Sequence, residues 1–125
     1  MKINKVDDLE IWSESIQLAT RIYKLTFTEN FRKDYGLVDQ IRRSSVSVSS
    51  NIAEGFERGN NKEFRNFLRI SKGSLIELRT QLMIANKVGY VGKDVFTLLN
   101  DRIIRISNKI GKLIIYLNEQ NKSSK

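Results

Sequence analysis

Residues 37–82, LVDQIRRSSVSVSSNIAEGFERGNNKEFRNFLRISKGSLIELRTQL, decide how this chain folds. At helical spacing Leu37, Ile41, Ser45, Val48, Ile52 and Phe56 fall on one stripe, the face that a helix buries against its neighbours. Gln40, Arg43, Ser47, Asn51 and Glu54 form a polar stripe beside it. Arg42, Val46, Ser49 and Ala53 make a third face, small enough for another backbone to come close. Three such faces predict a helix surrounded on more than one side. Beyond Gly55–Asn61, Phe64, Leu68, Ser71, Leu75, Leu78, Leu82 and Ala85 step by fours and threes, the seam of near-parallel packed helices. The run Ser45-Val46-Ser47-Val48-Ser49 also alternates with period two, as a half-buried strand does. A strand there would have no second alternating run to pair with, so the helix is preferred.

Outward from this stretch, the first helix is expected over about 9–27, seamed by Leu9, Trp12, Ile16, Ala19, Tyr23 and Thr26 and widened by Ile22 and Leu25. Asp7 and Asp8 precede it, placed to cap or complement its N-terminus. Residues 28–35 read as a charged connection in which Phe31 anchors the loop. The second helix covers about 37–57. Asn60 or Asn61 caps the third, about 62–87, with Glu63 in its first turn. Asp94 opens the fourth, about 94–118, seamed by Leu99, Ile103, Ile106, Ile110, Leu113 and Leu117. Residues 119–125 read as a polar, frayed tail. Gly73 and Gly111 lie inside helices, where glycine costs about 1 kcal/mol against alanine, and both suggest close backbone approach. The economical fold is all-α: one domain over residues 1–125, an antiparallel up-down-up-down four-helix bundle. Ile11, Leu18, Ile104, Ile114, Ile115 and Tyr116 fall off the main seams. They mark either self-association or wide core stripes.

Composition narrows function. The 125 residues contain no Cys, His or Pro. Long helices suit a proline-free chain. Without Cys or His there is no ordinary zinc site, no thiol or imidazole nucleophile and no imidazole base. Neither GxxxxGK[ST] nor GxGxxG occurs. No metal, cofactor or catalytic residue is therefore expected; the remaining enzymatic reading would need Glu54 and Glu77 in a pocket with raised pKa values. No apolar run is long enough for a bilayer span and the charged N-terminus is unlike a signal peptide, which makes the cytoplasm the default address.

The net charge of +8 is uneven. Residues 1–62 carry ten Lys/Arg and nine Asp/Glu, whereas residues 63–125 carry twelve and five. Lys62, Arg65, Arg69, Lys72 and Arg79 line the third helix, and Arg58 extends the row back through the loop. Arg102, Arg105, Lys109 and Lys112 line the fourth. Side by side, such rows suit phosphate backbones, with counterion release making affinity fall with salt. No aromatic is interleaved, so neither base stacking nor sequence readout is expected. The plainer alternative is a solvated face. Gln40, Arg43, Asn51, Glu54 and Glu77 are instead expected to form a structural polar network, buried or interfacial, with Arg43 paired to Glu54 or Glu77.

These residues also carry a resemblance. Gly36-Leu37, Gln40, Arg42-Arg43, Asn51-Ile52-Ala53-Glu54-Gly55, Arg58, Phe67-Leu68, Gly73-Ser74 and Glu77-Leu78 resemble the signature of the four-helix bundle proteins related to those encoded within 23S ribosomal RNA intervening sequences. Asp8-Leu9 with Trp12, and Tyr23 with Thr26, fit that family's opening helix. Two positions depart from it: Arg32 follows Phe31 where the family usually has Pro, and Ser44 follows the paired arginines where Ala is common. The resemblance implies a ring-like homo-oligomer, a pentamer. The family is similar to the accessory variability protein of diversity-generating retroelements, a basic bundle that binds nucleic acid and a reverse transcriptase. The function expected is thus a non-enzymatic, oligomeric RNA-binding accessory protein. The alternative is a homo-oligomeric scaffold that docks an acidic protein partner without nucleic acid.

Overall fold

The computed structural model describes residues 3–123, with side chains through Gln120. The described residues are helical, with no strand: α1 (Glu10–Thr26), the single-turn α2 (Glu29–Arg32), α3 (Tyr35–Glu57), α4 (Asn61–Lys87) and α5 (Lys93–Ser123). Ser45–Ser49 lies inside α3, so the strand alternative is closed. A 3₁₀ turn at Val6–Asp8 leads into α1, whose N-cap is Leu9 with no side-chain hydrogen bond. Asp7 and Asp8 thus form the lead-in turn rather than the expected cap.

Local chemistry accounts for the other boundaries. Asp34 Oδ1 accepts from the Leu37 amide at 3.1 Å, so α3 begins at Tyr35 and takes Gly36 into its first turn. Asn60 Oδ1 accepts from the Glu63 amide at 2.9 Å and starts α4. Each cap satisfies one of the amides that a helix N-terminus leaves without an internal partner. Gly59 and Gly89 take φ of +81° and +91° in the turns on either side of α4, a conformation costly for any side chain. The connection after α1 is more ordered than expected: α2 forms there, with Arg32 in its last turn. Helix α5 continues through Glu119–Ser123, residues expected to fray, whereas 124–125 lie outside the described residues.

The long helices surround a common apolar centre in which α3 packs on α4, α4 on α5, and α1 on both α3 and α5. Ile41, Val48, Ile52, Leu68, Leu75, Leu78, Leu82 and Ile110 are completely buried there. Each contributes about 1.5–3 kcal/mol relative to an exposed side chain. The seams expected for α3, α4 and α5 are the faces that pack. That of α1 is so only in part: Ile22 and Thr26 are buried and Leu9, Trp12 and Leu25 pack against the core as expected, whereas Ile16 and Tyr23 are exposed and Ile11, Ser15 and Leu18 are buried in their place. The true α1 seam carries hydroxyls, and each is satisfied inside its own helix. Ser15 donates to the Ile11 carbonyl at 2.6 Å and Thr26 to the Tyr23 carbonyl at 2.8 Å. Hydrophobicity alone therefore phased that helix only in part.

Polar contacts set the helices in register. Ser71 donates to the Val48 carbonyl at 2.9 Å and Ser74 to Ser47 Oγ at 2.8 Å. Arg42 hydrogen-bonds Thr26 Oγ1 at 2.9 Å and lies over the Tyr23 and Phe27 rings, clamping the end of α1 to α3. Phe31 is fully buried and stacks on Tyr90 at 5.1 Å, as an anchor should. The Tyr90 hydroxyl donates to Asp34 Oδ2 at 3.0 Å, and this bond, followed by burial, raises the phenol's pKa above its ordinary value. The cap of α3 is thereby tied to the turn after α4.

Close approach occurs at a different glycine from those singled out. A Cβ on Gly55 would sit 2.6 Å from the Phe67 Cβ and 3.3 Å from the Phe64 carbonyl oxygen. A Cβ on Gly73 would meet open space, and one on Gly111 only the flexible Lys72 ammonium at 3.3 Å.

Candidate nucleic-acid interface

The basic row of α4 lies along its boundary with α5. Arg65 reaches the Leu117 carbonyl at 3.4 Å, Lys72 lies against Gly111, and Arg79 Nε donates to Asn100 Oδ1 at 2.8 Å. Residue numbers fall along α5 as they rise along α4. Lys62 and Arg69 are exposed one face further out, and Arg69 donates to the Asn66 amide oxygen at 3.4 Å. Among the described residues, none of these five cations forms an ion pair. A helix rising about 1.5 Å per residue spreads them over about 25 Å. Arg58, at the corner before α4, is different: it pairs with Glu54 at 3.2 Å and stacks over Phe67.

The α5 row faces the other way. Arg105 lies 3.5 Å from Glu14, and Lys109 hydrogen-bonds both Glu14, at 2.7 Å, and Glu10. These contacts hold the Glu10 carboxyl below its usual pKa, the Lys109 hydrogen bond being the leading cause, and raise that of the Lys109 ammonium. Two members of the expected phosphate-binding row therefore serve as an α1–α5 strap. Arg102 is half-buried on that flank, and Lys112 is exposed; neither has an acidic partner among the described residues. The two rows are not side by side, as expected, but flank α5, separated by its outward ridge of Asp101, Ile104, Asn108 and Ile115. Sequence spacing gave no sign of this, because the acids of the strap lie on α1.

Among the described residues the polar network expected on α3 is not assembled. Arg43 pairs with Asp39 at 3.0 Å and is largely exposed, so neither Glu54 nor Glu77 is its partner. Asn51 donates to the Ser47 carbonyl at 2.8 Å and to its hydroxyl at 2.9 Å. Gln40 and Glu77 are exposed. Short i,i+4 partners are close at hand on the same helix, whereas Glu77 faces out from α4. With Glu54 ion-paired in the open and Glu77 on the surface, the two carboxylates share no pocket. Among the described residues no cluster of His, Cys, Asp or Glu is arranged to hold a metal ion, and no helix is long and apolar enough to cross a membrane.

The model of the 23S rRNA-intervening sequence protein family matches residues 7–112. The chain belongs to that family. It is also similar to a crystal structure from Bacteroides thetaiotaomicron VPI-5482, a protein described as of unknown function from the S23 ribosomal protein family. That structure was determined at 1.70 Å; the TM-score is 0.76 and the identity 24%, over 83% of this chain and 97% of that one. At that identity the likeness concerns the fold. No curated protein matches the chain. In this family member Gly55 and Arg58, two residues of the family-like stretch, lie at the α3–α4 corner. Gly55 permits the close contact with Phe67, and Arg58 covers that ring.

Proposed function

We propose that this protein is a non-enzymatic accessory protein that binds RNA through phosphate contacts along α4. One observation carries the reading: Lys62, Arg65, Arg69, Lys72 and Arg79 form a row without acidic partners among the described residues, in a chain of net charge +8. Arg65 and Arg79 do touch α5, but through neutral acceptors that leave their charge uncompensated, unlike Arg105 and Lys109. The family name, tied to ribosomal RNA, supports RNA over other polyanions. Such a partner implies the cytoplasm. Arg102 and Lys112 add charge on the far flank of α5, whereas Arg58, Arg105 and Lys109 contribute less because carboxylates already compensate them. Backbone contacts of this kind position a duplex or hairpin without reading its sequence.

The fold that presents the row is, in this proposal, an up-down-up-down four-helix bundle. The opposed residue order of α4 and α5, and the Ser71–Val48 and Ser74–Ser47 contacts of α3 and α4, support it. Exposed Ile76, Val88, Ile104, Ile115 and Tyr116 favour assembly into a homo-oligomer, for which the resemblance suggests a pentamer. In that assembly the polar face of α3 (Gln40, Arg43, Asn51 and Glu54, with Glu77 of α4) would meet another copy. Light scattering should then give a mass several times that of one 14.5 kDa chain.

A gel shift with a structured ribosomal RNA fragment, repeated across salt, tests the function. Retention that weakens steeply with added salt is expected. Absence of retention at low salt would refute RNA binding and leave the scaffold that docks an acidic protein as the better account.

A further inference from the structure

On the flank of α5 away from the α4 row, α1 and α5 leave an open groove; they touch less extensively than the other neighbouring long helices. Two cavities of about 530 and 420 Å³ lie along it and share Leu98. Leu99 and Ile106, both nearly buried, lie at its base. Val95 and Leu98 are exposed at 42% and 46%, an apolar surface facing solvent. Arg21 and Lys24 of α1 and Arg102 of α5 stand over it, and none has an acidic partner among the described residues. Of the acids along the groove, Glu14 is engaged by Arg105 and Lys109, which leaves Asp101 as the uncompensated one. The rim is net positive.

We propose that this groove docks an amphipathic helix of a protein partner, one whose apolar stripe is flanked by acidic side chains. A trough between two helices accepts a third by the packing of ridges into grooves, and anchors at i, i+3, i+4 and i+7 would cover Val95 and Leu98. From Lys24 to Glu14 the groove runs about 15 Å, three turns of guest helix. The charges choose the guest: acids beside its apolar stripe meet Arg21, Lys24 and Arg102, which also disfavours a basic helix. A second copy of this chain fits poorly. Its exposed Ile70 and Ile84 lie beside Arg69 and Lys87, so like charges would meet at the rim, while Ile76 beside Glu77 and Ile104 near Asp101 bring a single acid each to the three cations Arg21, Lys24 and Arg102. This inference does not depend on RNA binding, whose main row lies on the opposite flank of α5; Arg102 alone of the groove's three rim cations is common to both.

The test uses the full chain and a labelled peptide of about 18 residues, long enough to be helical. Its Leu residues keep i, i+3, i+4, i+7 spacing with Glu on both sides, and a control carries Lys for Glu. Anisotropy should show saturable binding of the Glu peptide, with the Lys peptide at least about tenfold weaker. Arg21→Glu with Lys24→Glu should weaken the Glu peptide by about tenfold, and Leu98→Gln by a smaller factor. All three positions are exposed, so circular dichroism should report unchanged folding. Equal affinity for both peptides, or indifference to these substitutions, would overturn the proposal. So would a fall in the mass of an assembly on Leu98→Gln, which would make a second copy the occupant. Loss of RNA retention in the Arg21→Glu/Lys24→Glu variant would overturn it too, by making the groove part of the polyanion surface.

Discussion

Two glycines separate what a sequence says from what a partner helix imposes. Gly55, in the last turn of α3, and Gly73, in the middle of α4, are both helical, where alanine is intrinsically preferred by up to about 1 kcal/mol. Their surroundings differ. At Gly55 an added methyl would enter the space of the Phe67 Cβ and the Phe64 carbonyl, and backbone must move to admit it. Gly55→Ala should therefore destabilise the fold by about 1–3 kcal/mol, the range for overpacking. At Gly73 nothing lies within 4 Å of the added atom, so Gly73→Ala should stabilise by up to about 1 kcal/mol. Urea midpoints of the two variants should move in opposite directions; a shared direction would mean that the α3–α4 approach is not as tight as described. No helical pattern distinguishes these glycines, because the distinction lies in where α4 runs relative to α3. The cap of α4, by contrast, was legible to within one residue, Asn60 or Asn61, since the chemistry of a cap is contained within four residues; the structure places it at Asn60.

Among the elements, α3, α4 and α5 were legible because each carries a stripe of leucine, isoleucine or valine that only one phase accommodates. Helix α1 was legible only in part. Buried Ser15 and Thr26 interrupt its apolar stripe, and Ile16 with Tyr23 offers a more hydrophobic but incorrect one. The strap that holds α1 to α5 was hidden for another reason: Glu10 and Glu14 meet Lys109 only after folding brings distant segments together. That strap makes the attachment of α1 dependent on pH. The Glu10 carboxyl is depressed below 4.5 by the Lys109 hydrogen bond, so its stabilisation is complete above that value and lost as pH falls through the lower, folded-state pKa. Lys109 acts at the other extreme, its contribution complete below 10.5 and lost as pH rises through its raised value. Amide exchange should accordingly show α1 losing protection on acidification before the α3–α4 pair does. Lys109→Gln should remove most of that acid step. Equal loss of protection in α1 and α3 would show that the strap carries little of the α1 attachment.

For the molecule as a whole, the consequence of folding is that ten candidate phosphate ligands become two populations. Arg58, Arg105 and Lys109 are drawn into pairs with Glu54, Glu10 and Glu14, whereas among the described residues the five cations of α4, with Arg102 and Lys112 of α5, are not. The heptad spacing of the α4 row was legible from sequence. Its separation from the α5 row was not, since spacing gives the face of a helix but not the neighbour on that face. The two populations should respond differently to neutralisation. Removing one phosphate-binding cation should reduce the slope of log K against log salt by about 0.9 for duplex or 0.7 for single strands. Lys62→Gln, Arg69→Gln and Lys72→Gln together, leaving the Arg79–Asn100 contact in place, should then flatten the slope by about 2–3 while changing the urea midpoint little, because surface substitutions shift stability by no more than about 0.5 kcal/mol each. Arg105→Gln with Lys109→Gln should do the reverse, lowering stability by releasing Glu10 and Glu14 and changing the slope little. Were the second variant to flatten the slope as much as the first, the phosphates would be bound around the molecule rather than along α4. The retention would then reflect net charge and not a surface built to hold RNA.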